Sequence, residues 1–154
     1  MQATTYKSLV QSTLDQTRIY NHGCLVGDAA AEELEALGVR ATPAIRRAIQ
    51  ALSHTHSRDA TTPQDVRSRH PGIERLFSIL LKLTPRDGMA ELAVFLRGLP
   101  DAMLATAIQA LNGAWRKPHP VPLPILRLVR ETTHNLASFA GEDAAWFMRN
   151  HWRR

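Results

Sequence analysis

The chain has 154 residues, of which 44% are hydrophobic and 21% charged, so it is long enough to form one globular domain with its own core. No apolar run approaches the roughly 18 residues of a membrane-spanning helix, and the N-terminus lacks the basic-then-apolar pattern of a secretory signal. Cys24 is the single cysteine, which excludes an internal disulfide and favours a reducing, cytoplasmic location.

The charge is unevenly distributed along the chain. The net charge is +5, but residues 1–37 carry −3 and residues 38–154 carry +8. Sixteen of the 19 basic residues are arginine, whose guanidinium group suits bidentate contact with phosphate or carboxylate. A solvated surface rich in arginine is the plainer interpretation, and an acidic partner is the alternative.

The spacing of apolar residues predicts a series of helices. These are expected at about 5–21, 29–37, 42–54 and 71–84, then as a hairpin over 87–112, and then at 124–137 and from Gly141 onward. Gly23 and Gly38 are predicted to end the first two helices, and Asp28, Thr42 and Asp101 to cap the starts of later ones. Pro100 cannot continue a helix, so it separates the two arms of the hairpin.

Two stretches are predicted to be non-helical. Residues 53–70 form a polar loop in which Thr62 and Pro63 can start one short helix. Residues 118–124 hold four prolines and are expected to form a stiff, extended connector. Because no stretch alternates polar and apolar residues as a strand does, residues 1–154 are predicted to be a single all-α domain.

A five-residue segment occurs twice. Ala-Ile-Gln-Ala-Leu stands at 48–52 and at 107–111, and each copy lies in a helix that follows another helix and a short turn. This unit resembles the HEAT-like repeats, most closely over 28–54 and 88–112 and poorly over 124–152. The resemblance implies a short solenoid of αα-hairpins with about seven to eight helices. An irregular helical bundle is the alternative.

The sequence predicts neither a catalytic residue, nor a metal site, nor a cofactor. It contains no Gly-rich phosphate loop, no Gly-x-Ser-x-Gly and no His-Glu-x-x-His. His54 and His56 stand at i and i+2, where two side chains on a helix point apart, so they are interpreted as solvated loop residues. Cys24 lacks a nearby activating base and is interpreted as a buried or half-buried thiol.

The non-core faces of three helices are predicted to form a basic concave surface that binds a partner. If 42–54, 101–115 and 124–137 are the inner helices of a stack, these faces lie together. The predicted partner-binding residues are Arg46, Arg47, Gln50, His54, Gln109, Arg116, Arg127 and Arg130. The C-terminal aromatics Trp146, Phe147 and Trp152 are predicted to be mainly core, with an exposed anchor for a partner as the alternative.

A small helical-repeat protein with these features is similar to bacterial immunity proteins, which neutralise a cognate toxin. The resemblance implies a non-catalytic module that binds one cognate protein and occludes its active site. One alternative is nucleic-acid binding by the basic face, which would give a steep dependence on salt. Another alternative is an adaptor or chaperone subunit of a bacterial assembly. A membrane partner is not expected.

Overall fold

The chain folds as α-helices, as the sequence predicts. A computed structural model describes residues 3–15, 17–18, 25–26, 28–56, 61–114, 121–135 and 137–151. The helices in these ranges are α1 (Ala3–Leu14), α2 (Asp28–Ala36), α3 (Thr42–Thr55), α4 (Pro63–Arg69), α5 (Ile73–Leu83), α6 (Met89–Arg97), α7 (Asp101–Ala114), α8 (Leu123–Thr132) and α9 (Phe139–His151). Short 3-10 helices at Gly38–Ala41 and Arg86–Gly88 lead into α3 and α6.

The first predicted helix, 5–21, is too long. Helix α1 ends at Leu14, and Thr17–Arg18 (β1) pairs antiparallel with Leu25–Val26 (β2). The carbonyl of Leu14 accepts a hydrogen bond from the backbone N–H of Gly72 at 3.0 Å, so the end of α1 is held by the start of α5. The predicted end at Gly23 and the lone Cys24 lie outside the described residues.

In the turn between α2 and α3, the predicted end of α2 at Gly38 is confirmed, but the predicted N-cap of α3 at Thr42 is not. Gly38 has a φ of +73°, a left-handed conformation that glycine adopts without steric cost, and it follows the end of α2. Thr42 is not a cap, because the 3-10 helix runs directly into α3 and the Thr42 hydroxyl donates to the carbonyl of Val39 at 2.8 Å. Pro43 lies in the first turn of α3, as predicted. The side chain of Asp28, the other predicted cap, is not among those described.

Helices occupy most of the predicted polar loop at 53–70. Helix α3 continues to Thr55, and α4 begins at Pro63 behind a capping box. In that box Asp65 N–H donates to the Thr62 hydroxyl at 3.1 Å, and Thr62 N–H donates to the Asp65 carboxylate at 2.9 Å. The short helix predicted from Thr62 and Pro63 is therefore confirmed.

The central hairpin breaks at Pro100, as predicted, but Asp101 has another role. It is the first residue of α7, and its carboxylate accepts the backbone N–H groups of Phe139 at 2.9 Å and Ala140 at 3.1 Å. Asp101 thus caps α9, a helix 38 residues further along the chain. The Ser138 hydroxyl also accepts the backbone N–H of Gly141 at 2.9 Å, so Ser138 and Asp101 together cap α9, which starts at Phe139 instead of the predicted Gly141. Helix α8 ends at Thr132 instead of 137.

The helices stack in two layers. Helices α1, α3, α6 and α8 form the first layer: α1 packs on α3, α6 packs on α8, and Arg46 of α3 reaches Phe95 of α6. Helices α2, α5, α7 and α9 form the second layer, in which each packs on the next. Hairpins α1–α2, α3–α5, α6–α7 and α8–α9 connect the layers, and α4 is an insertion that packs on α7 and α5.

The two copies of Ala-Ile-Gln-Ala-Leu do not occupy equivalent places. The copy in α3 lies in the first layer, where Gln50 and Ala51 are exposed, whereas the copy in α7 lies in the second layer with Ala107, Ala110 and their apolar neighbours buried. Helix α7 is enclosed by α4, α5 and α9, which buries nearly its whole circumference. Helix α7 therefore lies in the second layer, and the prediction that it lines one surface with α3 and α8 is wrong.

Candidate functional site

Helix α3 presents three of the predicted partner-binding side chains to solvent. Ile45 and Ile49 are fully buried, and they fix which face of the amphipathic helix meets the core. The exposed side chains are those of Arg47, Gln50 and His54. Helix α3 therefore carries a polar, basic outer face, as its sequence pattern predicts.

Arg46 is the exception on α3. It is half-buried, and its guanidinium carbon lies 5.5 Å from the ring centroid of Phe95 on α6, a cation–π geometry. Its Nε atom is buried without a hydrogen-bond partner among the described residues. Arg46 thus joins neighbouring helices of the first layer, and only part of this side chain is available to a partner.

Helix α8 adds two more cations to the first layer. Ile125, Leu128 and Val129 are buried, which leaves Arg127 and Arg130 exposed and one turn apart. Between α3 and α8, helix α6 contributes Arg97, whose guanidinium lies 3.1 Å from Glu131 of α8. Exposed cations of α3 and α8 thus belong to the same layer, although these two helices share no substantial interface. Arg116, predicted for the same surface, lies outside the described residues.

Gln109 lies elsewhere. It is on α7 in the second layer, where its side-chain oxygen accepts a hydrogen bond from Arg67 and its amide nitrogen donates to Asp143 at 3.0 Å. Arg67 also lies 3.5 Å from Glu74. Burial raises the pKa of the Asp143 carboxyl, and the Gln109 hydrogen bond and the positive charge of Arg67 oppose that rise. This network connects α4, α7 and α9, so Gln109 is committed to contacts within the fold.

An open cleft of about 240 Å³ adjoins this network. Arg67, Gln109, Phe139, Glu142 and Asp143 contribute to its walls. Arg67 falls within the predicted polar loop at 53–70, and no pattern in the sequence singles out Asp143. The only available signal was the position of both residues next to predicted helix starts, which says nothing about their contact across the fold.

A groove lies between α1 and α3. Its volume is about 610 Å³. Val10 and Leu14 of α1 and Leu52 of α3 contribute apolar surface, and Lys7 and Arg47 stand on opposite walls. The sequence analysis did not identify this groove, because its formation depends on how closely two helices approach that are 28 residues apart in sequence.

Two histidines meet where α3 and α4 end. The Nε2 atoms of His56 and His70 are 3.0 Å apart, and the rings are nearly perpendicular at 87°. His56 is only 2% exposed, so it is not the solvated residue that the sequence analysis proposed.

The environment of the pair disfavours protonation. Burial lowers the pKa of both rings, and Arg69 and the partner histidine add to this effect at His70. The carboxylates of Asp65 and Asp15 oppose it at His56 and His70 respectively. At neutral pH one ring therefore donates its Nε2 proton to the other, and the contact holds the ends of α3 and α4 together.

The C-terminal aromatics divide between core and surface. Phe147 is fully buried, as predicted, whereas Trp146 is 49% exposed, and the prediction that it belongs to the core is wrong. Phe139 is also exposed and lies seven residues, or two turns, before Trp146 on the same face of α9. Trp146 is therefore accessible to solvent, and its role as an anchor for a partner stays a prediction. Trp152 lies outside the described residues.

No group of three or more His, Cys, Asp or Glu side chains suited to hold a metal ion occurs among the described residues. In the same part of the chain, no helix is long and apolar enough to cross a membrane. No family model, curated protein or solved structure matches this chain.

Proposed function

We propose that the chain is a non-catalytic module that binds one cognate protein through its first helix layer. The observation that carries this proposal is the solvent-open groove between α1 and α3, which has an apolar floor and cationic walls. Ligand sites combine apolar surface with a few placed polar groups, and this groove has both. The exposed Arg127 and Arg130 extend the positive charge along the same layer.

The stacking of successive hairpins supports a relationship to the HEAT-like repeat type. In such solenoids each hairpin contacts only its neighbours, and one layer of helices supplies an extended recognition surface. By analogy with immunity proteins, the partner would be a toxin whose active site the first layer covers. The cytoplasmic location expected from the single cysteine is part of the same proposal.

A pull-down from the lysate of the native host tests whether a dedicated partner exists. The tagged chain is incubated with lysate, with and without nuclease, and the bound proteins are identified by mass spectrometry. One stoichiometric protein that survives nuclease is the expected result. Recovery of many proteins that disappears after nuclease would mean that nucleic acid is the ligand, and the proposal would be wrong.

A paired charge reversal tests whether the partner meets the first layer. Arg47→Glu combined with Arg127→Glu is expected to weaken partner binding at least tenfold, mainly through slower association. Arg40→Glu combined with Arg86→Glu makes the same change in net charge at exposed positions in the two 3-10 helices. Equal losses for the two double variants would mean that the effect is one of overall charge and not of this surface.

The nucleic-acid alternative is favoured by the excess of arginine on the first layer. It predicts binding to any DNA or RNA of sufficient length, with an affinity that falls steeply as salt is raised, because bound cations are released from the phosphates. A shallow salt dependence, or no binding at low salt, would exclude it. An adaptor or chaperone role predicts that the recovered partner is a component of a larger assembly.

A further inference from the structure

The groove between α1 and α3 is built from one face of each helix. On α1, Lys7, Val10 and Leu14 follow one another at spacings of three and four residues. On α3, Ala44, Ala48 and Ala51 are spaced by four and three residues, and Arg47 and Leu52 lie next to them along the chain. These two amphipathic faces border one open groove. Elsewhere in the fold, such faces are covered by a further helix.

We infer that this groove receives an amphipathic α-helix of the partner protein, with acidic residues on both sides of its apolar stripe. The inference rests on the proposed function and specifies the chemistry of the partner. An amphipathic helix laid into an apolar groove is a recurrent mode of recognition, in which side chains at i, i+3, i+4 and i+7 are the anchors.

The shape of the groove favours a helix. Ala44, Ala48 and Ala51 line the α3 wall at spacings of four and three residues, and each lacks side-chain atoms beyond Cβ. Small residues at this spacing allow a third helix to approach α3 closely, with its ridge of side chains fitting over them. The lining residues run from Lys7 to Leu14 on α1 and from Ala44 to Leu52 on α3, so the two walls are about 12 Å and 14 Å long and match a little over two turns of a bound helix.

The charges favour an acidic ligand. Lys7 on the α1 wall and Arg47 on the α3 wall are both exposed, so they can reach carboxylates on the two flanks of a bound helix. The described side chains that line the groove include no acid. Asp15, the nearest acidic residue along α1, does not line the groove, and its carboxylate accepts a hydrogen bond from Gln11 at 2.9 Å.

Two designed peptides test the inference on the purified chain without knowledge of the partner. Both are fluorescein-labelled 14-residue helices with leucine at i, i+3, i+4, i+7 and i+11, and they differ in having glutamate or lysine on the flanks. Fluorescence anisotropy is expected to show binding of the glutamate peptide and at least tenfold weaker binding of the lysine peptide. No binding of the glutamate peptide at millimolar concentration, or a preference for the lysine peptide, would overturn the inference.

A filling substitution tests the location. Ala51 is exposed and lines the groove, so Ala51→Phe is expected to keep the fold and to weaken binding of the glutamate peptide at least tenfold. Ala90 on α6 is equally exposed and lies away from the groove, so Ala90→Phe is the matched control and should bind as the unmodified chain does. Equal affinities of the two variants would place the peptide elsewhere.

A charge substitution tests the walls independently of packing. Arg47→Glu is expected to weaken binding of the glutamate peptide and to strengthen binding of the lysine peptide. Each affinity should change roughly threefold to fivefold, which is the size of effect that a single exposed charge pair gives. Arg86→Glu makes the same charge change on an exposed residue away from the groove and should leave the preference between the peptides intact. An unchanged preference in Arg47→Glu would contradict the acidic-ligand assignment.

Other occupants give distinct results. Saturable displacement of a bound dye by dodecanoate, with no binding of either peptide, would mean that the groove takes an acyl chain. A dimer in light scattering that Ala51→Phe dissociates would mean that a second copy fills it. If the peptide binds but the pull-down recovers no partner, the proposed function is wrong and the inference that the groove binds an acidic helix stands. If a partner is recovered and Ala51→Phe does not change its affinity, the proposed function stands and the inference that the partner binds in the groove is wrong.

Discussion

Replacing Gly72 by alanine tests the closest approach between the N-terminal part of the chain and the central helices. Gly72 precedes α5, and a Cβ atom at this position would lie 1.6 Å from the carbonyl oxygen of Thr13 at the end of α1. The φ of Gly72 is −91°, which any residue adopts, so the cost of the substitution is purely one of contact. Gly72→Ala should therefore force α1 and α5 apart.

The size of the effect follows from the distances. Non-bonded carbon atoms are at their optimum about 3.5–4 Å apart, so the end of α1 must retreat by roughly 1.5–2 Å. The movement breaks the 3.0 Å hydrogen bond from Gly72 to Leu14, worth about 1 kcal/mol, and loosens the packing of Val10 and Leu14. Forced shifts in a packed core cost about 1–3 kcal/mol, so we expect a loss of about 2–4 kcal/mol in the free energy of unfolding.

Urea denaturation followed by circular dichroism measures this loss. Gly98 is the matched control, because it also borders a helix, has a φ of −79°, and its added Cβ would meet nothing closer than 3.6 Å. Gly98→Ala should change the free energy of unfolding by less than about 1 kcal/mol, with either sign. If the two alanine variants have equal stability, α1 does not approach α5 as described, and the α1 wall of the groove is also in doubt.

Three further predictions concern polar contacts. The pKa values of His56 and His70 are lowered in the folded state, so as the pH falls the unfolded chain binds protons before the folded chain does. The free energy of unfolding should therefore decrease below about pH 6.5, by up to about 1.4 kcal/mol per pH unit for each histidine. Urea titrations between pH 7.5 and 5.5 should show this slope, and His56→Gln should reduce it. Asp101→Ala should cost about 1 kcal/mol in urea titrations, because the N–H groups of Phe139 and Ala140 lose their acceptor while Ser138 still caps Gly141. Asp87→Ala, at an exposed position, should cost little. The pKa of Asp143 is raised in the folded state, so the ionised carboxylate destabilises the fold at neutral pH. Asp143→Asn should therefore be at least as stable as the unmodified chain at pH 7. It should lose that advantage at pH 4, because Asp143 itself becomes protonated there.

The parts of the fold that the sequence predicts are those that depend on neighbours along the chain. The capping residues Thr62 and Asp65 lie within one turn of each other, and Pro100 acts on its own helix, so both features could be recognised from the sequence. Gly38 ends α2 by its own conformation. The role of Asp101 could not be recognised, because its hydrogen-bond donors are 38 and 39 residues away and become neighbours only when α7 packs on α9.

The repeated pentapeptide shows why periodicity alone does not locate a binding surface. Gln50 and Gln109 stand in identical local sequences, yet Gln50 is exposed and Gln109 bonds to Arg67 and Asp143. The difference comes from α4, α5 and α9, which surround α7, whereas no helix in the described part of the chain covers the corresponding face of α3. An amphipathic pattern therefore predicts which side of a helix meets the core, but not how many other helices will enclose it.

Short side chains on α3 explain why the groove lies beside this helix. The face of α3 that borders α1 carries Ala44, Ala48 and Ala51, and these side chains are too short to fill the space above Val10 and Leu14. Larger residues at the three positions would close the channel with the chain's own atoms, as Ile45 and Ile49 fill the core on the buried face of the same helix. The open groove is thus a direct consequence of alanine at helical spacing, and Ala51→Phe, the variant that tests partner binding, restores the bulk that α3 lacks at that point.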